Sequence, residues 1–224
     1  MLSFERHRRD ATDQAQFAPT TLIVAGWTGR DEKALRHHIE ELAAIGVPRP
    51  SSVPVFYRIS TANLLQTAQL QVLGPDTSGE AEPVVVAMRD GLWLGVGSDH
   101  TDRKAETMGI ALSKQLCAKV IGTTLWRLDD VARHWDQLIL RAFVTIDGTR
   151  VKYQEGPLSA MRNPADLMSR VGTDFGAGTI MFCGTLGAIG GIRPAAQFTA
   201  QLEDPVLGRE MSCDYHVVVL PVVS

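Results

Sequence analysis

The chain has 224 residues, 45% of them hydrophobic and 21% charged, which is enough to bury one substantial core. A formal charge of -3 and a pI near 6.1 supply no basic field of the kind that draws a protein to nucleic acid or an anionic membrane. Small-molecule chemistry is therefore the leading class, with no nucleic-acid or membrane partner expected. Charged residues crowd Glu5 to Asp10, where an export signal needs an apolar stretch, and no apolar run approaches the roughly 20 residues of a membrane helix. A soluble, cytoplasmic protein is expected. The three cysteines, Cys117, Cys183 and Cys213, are widely spaced, which fits reduced thiols in a core better than a disulfide framework.

The first predicted strand is the apolar, β-branched run 21–26. A helix over 31–45 follows, with Asp31 placed to cap its first turn and Gly46 to end it. Residues 47–60 hold Pro48, Pro50 and Pro54, which remove backbone donors, and read as an extended surface linker. The best internal boundary falls there, between an N-terminal segment 1–60 and a β-rich domain 61–224. Strands are expected at 64–73, 82–88 and 92–96, the last two joined by a tight turn at Asp90-Gly91. A helix is predicted over 101–116, then strands at 120–126 and 138–146 around a helical piece at 128–134, and Asp147-Gly148 turns the chain into 149–153. Asn163 caps a short helix at 164–170, and strands at 179–183, 196–202 and 211–220 end the series. The fold class is α+β, β-rich with few helices.

Three constellations bear on chemistry. Glu80 and Glu82 open a strand at alternate positions, so their carboxylates share a face and repel unless a cation lies between them. Asp99 ends the strand after the next hairpin and can complete a three-carboxylate site for Mg²⁺ or Mn²⁺, with Ca²⁺ as a further candidate. Its other reading is a helix cap, as is that of Thr101; His100 and Asp102 stand in reserve as ligands. His38 and Glu41, or His37 and Glu40, lie three apart on the first helix, where a carboxylate can raise the basicity of an imidazole. Gly184, Thr185, Gly190 and Gly191 follow an apolar strand and can hold a carboxylate on backbone amides and a hydroxyl. Lys114, Lys119 and Arg103 are further anion partners. Trp27, Trp93, Trp126 and Trp135 are scattered and read as packing residues.

In this order the pieces resemble the fumarylacetoacetate hydrolase-like superfamily, which holds a divalent metal through a Glu-x-Glu pair and a later Asp, here Glu80, Glu82 and Asp99. The family's Asp-x-Ser/Thr-x-Arg motif is similar to Asp99-His100-Thr101-Asp102-Arg103, its lysine to Lys114 in Ser113-Lys114-Gln115, and its Gly-Thr pattern to Gly184-Thr185. The likeness runs from about Leu22 to the C-terminus and extends to a bacterial branch of unknown function that shares the Gly26-Trp27-Thr28-Gly29-Arg30 stretch. It implies a mixed β-roll of the type found in the C-terminal domain of that superfamily, pairing as a homodimer, with the first helix as a lid. It further implies a 2-oxo acid or β-dicarbonyl substrate, held by Arg103, Gly184 and Thr185, and a metal-stabilised enolate. Lys114 shares the developing charge, and His38 with Glu41 activates water to hydrolyse a carbon–carbon bond, as in an acylpyruvate hydrolase. Decarboxylation, hydration or dehydration, and isomerisation use the same chemistry. A small-carboxylate sensor without catalysis and a zinc hydrolase using His37, His38 or His100 are the other classes.

Overall fold

The computed structural model describes residues 1–44 and 49–223, with side chains placed at all of them except 38 and 41–44. In chain order the strands are β1 (Leu2–His7), β2 (Thr12–Phe17), β3 (Thr21–Gly26), β4 (Val55–Ile59), β5 (Leu64–Leu65), β6 (Gln69–Leu73), β7 (Thr77–Ser78), β8 (Ala81–Met88), β9 (Gly91–Ser98), β10 (Thr101–Asp102), β11 (Lys119–Ile121), β12 (Thr124–Arg127), β13 (Ile139–Ile146), β14 (Thr149–Pro157), β15 (Thr179–Phe182), β16 (Gln197–Asp204) and β17 (Arg209–Leu220). The helices are α1 (Glu32–Ala44), α2 (Arg103–Glu106), α3 (Ile110–Leu116), α4 (Leu128–Val131) and α5 (Pro164–Val171).

The larger sheet is ordered β2-β1-β12-β9-β8-β15-β3-β4, with β11 added to β9 and β5 to β11. It is mixed: β1 runs parallel to β12, β15 to β3 and β11 to β5, and the other pairs are antiparallel. A second sheet is ordered β14-β13-β16-β17-β6, and β10 and β7 form a separate ribbon. The main core joins residues of both sheets, with Leu94, Val96 and Trp126 from the first and Leu140, Phe198 and Tyr215 from the second. A second cluster, with Phe4, Val84, Val86 and Trp93, packs within the larger sheet's own strands. The apolar run Val84-Val85-Val86 explains why β8 is central: both of its faces are covered, and it pairs with β9 on one side and β15 on the other. All three cysteines are buried and free. No helix among the described residues is long and apolar enough to cross a membrane.

Several elements differ from the sequence reading. The β1–β2 hairpin carries too many polar residues to register as strands, because only Leu2, Phe4 and Phe17 are turned inward. The proline-rich 47–60 stretch contains β4, which pairs with β3 and extends the larger sheet. The 64–73 strand is two strands in two sheets: β5 pairs with β11 and β6 with β17. The 101–116 helix is broken, since Thr101 and Asp102 pair with β7, the Asp102 side chain then caps α2, and Gly109 separates α2 from α3. The first helix forms as expected; Asp31 Oδ1 accepts from the Lys33 and Ala34 amides at 2.9 and 3.0 Å. The stop expected at Gly46 lies outside the described residues.

Candidate metal centre

Glu80 and Glu82 flank the first residue of β8, and strand alternation sends both side chains to one face. The β8–β9 register sets Ala81 opposite Ser98 and Glu82 opposite Gly97, and the Asp99 amide donates to the Glu80 carbonyl at 3.0 Å. This brings the third acid alongside the pair. Oxygens of Glu80, Glu82 and Asp99 all lie within 4.8 Å of one another, the one such acidic, His or Cys grouping among the described residues. Gly97 has to be glycine here: a Cβ would stand 2.5 Å from the Val120 carbonyl oxygen and 2.9 Å from the Phe182 ring.

Three cations brace the acids from outside. Lys114, on α3, ion-pairs with Asp99 Oδ2 and reaches Glu80 at 3.4 Å. Lys119, at the start of β11 and fully buried, donates to the His100 carbonyl at 2.6 Å and pairs with Asp99 Oδ1 at 2.8 Å. Arg103 spends its three nitrogens on Ser78 Oγ at 2.7 Å, Glu80 at 2.9 Å and Glu106 at 3.1 Å. Burial pushes the Asp99 pKa up, but the two lysines outweigh it and hold the acid well below the usual carboxylate range. Glu82 goes the other way. Burial first, and the neighbouring Asp99 charge second, raise its pKa well above normal, and the amide hydrogen bond from Gly184 at 2.6 Å offsets little of this. Lys114 is held charged by Asp99 and Glu80 in spite of its own burial.

The glycine-rich loop after β15 closes one side. Gly184 has a φ of 104°, in the left-handed region, and its Cα faces Thr28 too closely for any side chain. Thr185 Oγ1 donates to the Ala81 carbonyl and accepts from Gln154 Nε2, both at 2.8 Å, and Gln154 Oε1 accepts from the Ala81 amide at 2.9 Å. Gln154 has no sequence motif to announce it; β14 brings it here from another sheet. Lys119 was visible only as one of several cations. Its pairing with Asp99 follows from the β9–β11 register.

The reserve ligands do not join the centre. His100 bonds Tyr215 Oη through Nδ1 and Thr77 Oγ1 through Nε2, both at 2.9 Å, so neither ring nitrogen is left for a metal. Burial lowers its pKa to about 3, which keeps it neutral. Asp102 accepts from the Ala105 amide at 2.8 Å as the cap of α2, a role that neither Asp99 nor Thr101 takes. On α1, Glu40 pairs with Arg49 at 2.6 Å; the side chains of His38 and Glu41 lie outside the described residues.

The donor set suits a hard divalent cation. It is all oxygen, it contains one carboxylate that burial and a like charge disfavour, and Asp99 Oδ1 is buried without a hydrogen bond in good geometry. A dication between the three acids would relieve both defects. Above them opens a cleft of about 740 Å³, lined by Glu80, Glu82, Arg103, Lys114, Gly184 and Thr185 and, on its other walls, by Trp27, Tyr57 and aliphatic side chains. Two of the expected acids, Glu80 and Glu82, therefore share one cavity with the expected lysine, arginine and Gly-Thr pair, while Asp99 is buried beside them and does not line it.

Comparison with known proteins places this architecture. A fumarylacetoacetate hydrolase family protein from Yersinia pestis CO92 is similar over 95% of this chain and 99% of its own, with a TM-score of 0.63 and 16% identity. The structure of 2-keto-3-deoxy-D-arabinonate dehydratase complexed with magnesium and 2,5-dioxopentanoate is similar over 91% of this chain and 74% of its own, with a TM-score of 0.63 and 13% identity. The 4-oxalocrotonate decarboxylase of Pseudomonas putida G7, complexed with calcium and acetate, matches over 88% and 76% of the two chains, with a TM-score of 0.55 and 15% identity. No curated protein sequence matches the chain. The fold is thus the mixed β-roll of the fumarylacetoacetate hydrolase-like proteins, as the order of motifs implied. A family model described as "Protein of unknown function (DUF2848)" matches residues 25–215, a span that takes in all three acids, both lysines and the glycine-rich loop, and the chain belongs to that family.

Proposed function

We propose that this protein is a divalent-metal-dependent enzyme acting on a 2-oxo acid or β-dicarbonyl, and that it hydrolyses a carbon–carbon bond in an acylpyruvate-type substrate. The observation that carries the reading is the acid triad, with Glu80 and Glu82 lining an open cleft, Asp99 buried beside them and Lys114 against all three. Glu80, Glu82 and Asp99 would hold Mg²⁺ or Mn²⁺, which would supply Lewis-acid stabilisation of negative charge developing on substrate oxygens. Lys114, held charged among the acids, lies where it can share that charge and orient a substrate carboxylate. Gly184 and Thr185 also line the cleft and fix Glu82 and the start of β8, so the substrate meets a hydrogen-bonded surface there. Arg103, whose three nitrogens are held by Ser78, Glu80 and Glu106, acts first on the shape of the site and contacts substrate from its place in the cleft lining.

Hydrolysis needs an activated water. His38 and Glu41 take that role on α1, whose Leu35, three residues before His38, lines the cleft. Fold neighbours that are a dehydratase and a decarboxylase support a lyase as the second reading, with the same triad and lysine and without the His–Glu pair. The protein would act as a homodimer in the cytoplasm.

The test is turnover of acylpyruvates by chelator-stripped and by Mg²⁺- or Mn²⁺-loaded protein, following pyruvate and the released carboxylate. We expect metal-dependent cleavage that Glu82→Ala abolishes and that His38→Ala reduces by about 10²-fold or more while leaving metal binding intact. Metal-dependent loss of CO₂ or water from oxo acids, unchanged in His38→Ala, would move the assignment to the lyase reading.

A further inference from the structure

The cleft above the acids is chemically divided. Its charged lining residues, Glu80, Glu82, Arg103, Glu106 and Lys114, all belong to the one electrostatic cluster at the metal end. Among the described residues the remaining lining adds no charge. It is built chiefly from Trp27, Leu35, Tyr57, Ile110, Leu186 and Ile192, with small and uncharged polar residues between them.

Two of these residues are set in place at a cost. Tyr57, on β4, lies across Gly26, where a Cβ would come within 2.9 Å of its ring, so the close approach requires glycine. The next residue, Trp27, has a φ of 58°, a conformation a bulky side chain rarely adopts and keeps only where its surroundings impose it. Trp27 and Tyr57 both line the cleft and interact through their side chains. Trp93, Trp126 and Trp135 are buried packing residues, as the sequence suggested; Trp27 is only partly buried and faces the cleft.

A second carboxylate on the far part of a substrate would lose its water against this wall, where none of the described lining residues is a cation, whereas an apolar group gains from the same contact. Resting on the metal and oxo-acid reading above, the geometry points to a substrate whose oxo-acid head meets the acid–lysine end and whose uncharged tail, aromatic or alkyl, lies against Trp27 and Tyr57. Trp27 is then a specificity-determining residue, and Ile192, exposed at the rim, marks the tail's outer end.

The experiment is calorimetric titration of Mn²⁺-loaded protein with pyruvate, phenylpyruvate, 2-oxooctanoate and 2-oxoglutarate, with the Mn²⁺ affinity measured separately by electron paramagnetic resonance. We expect phenylpyruvate and 2-oxooctanoate to bind at least about tenfold more tightly than pyruvate, and 2-oxoglutarate no more tightly than pyruvate. Trp27→Gly removes the ring and relieves the positive φ; it should keep the Mn²⁺ and pyruvate affinities and lose most of the apolar gain. Ile192→Lys, at an exposed position, should tighten 2-oxoglutarate. Equal binding of pyruvate and phenylpyruvate, tighter wild-type binding of 2-oxoglutarate, or a full apolar gain in Trp27→Gly overturns the tail assignment while leaving the metal and oxo-acid reading in place. Binding of no oxo acid by the Mn²⁺-loaded protein overturns both.

Discussion

Asp99 is the residue on which the site turns, because each of its oxygens meets a different buried lysine. Lys114 can exchange such a contact for substrate, since it also lines the cleft; Lys119 cannot, being fully enclosed. Lys119→Met should therefore act on the fold and on the metal in opposite directions. Breaking a buried ion pair from one side costs about 3–5 kcal/mol, so the metal-free variant should unfold at lower urea. The same change removes a positive charge beside the ligand set, so the gain in stability on adding Mn²⁺ should exceed that of the wild type. Urea titrations with and without Mn²⁺ measure both; an equal or smaller metal effect would mean that Lys119 positions Asp99 for the ion and does not merely counter its charge. The sequence named these lysines and acids individually. What it could not supply is which lysine meets which oxygen, as that depends on α3 and β11 arriving from different directions.

At the scale of elements, the site is a property of the β8–β9 hairpin. The Asp90-Gly91 turn and the alternation of Glu80 and Glu82 were legible because hairpin chemistry and a period of two are local signals. The requirement for glycine at 97 was not legible, because the atoms that exclude a Cβ belong to β11 and β15. Gly97→Ala should cost about 1–3 kcal/mol by overpacking and should weaken Mg²⁺ binding, since the contact with β11 displaces β9, the strand that carries Asp99 to the two glutamates. Chemical unfolding and metal titration check the two effects, and a stable variant with unaltered affinity would show that the register tolerates the extra carbon. The β1–β2 hairpin supplies a pH-dependent element. Asp13, hydrogen-bonded first by Arg6 and then by Arg8, has its pKa lowered to about 2, and both guanidiniums lie over the Trp93 ring, at 4.5 and 4.7 Å. A carboxyl group with a depressed folded-state value stabilises above its unfolded value and loses that contribution as pH falls towards 2. The protection of β1 and β2 amides against hydrogen exchange, taken relative to the intrinsic rate at each pH, should accordingly fall between about pH 4 and 2 in the wild type, and Asp13→Asn should show a flatter dependence over the same range.

For the whole molecule, metal and stability are linked. An ion bound only by the folded chain stabilises it by about 2.7 kcal/mol at a hundredfold excess over its dissociation constant, so chelation should lower the unfolding midpoint of the wild type and leave Glu82→Ala unmoved. Thermal unfolding with graded Mg²⁺ measures this, and an equal response of both proteins would place the ion elsewhere. By itself the sequence determined the fold class, most strands of the second half, the three acids and the family resemblance, because strand periodicity, turn residues and short motifs are written over a few consecutive positions. Tertiary structure decided the rest. It split the 101–116 helix, drew the proline-rich stretch into the larger sheet as β4, turned His100 away from the acids towards Tyr215, and lined the cleft with Trp27 and Tyr57. Each of these outcomes depends on partners far along the chain, where a strand edge, a buried hydroxyl or an aromatic neighbour outweighs local preference, and no window of sequence contains both members of such a pair.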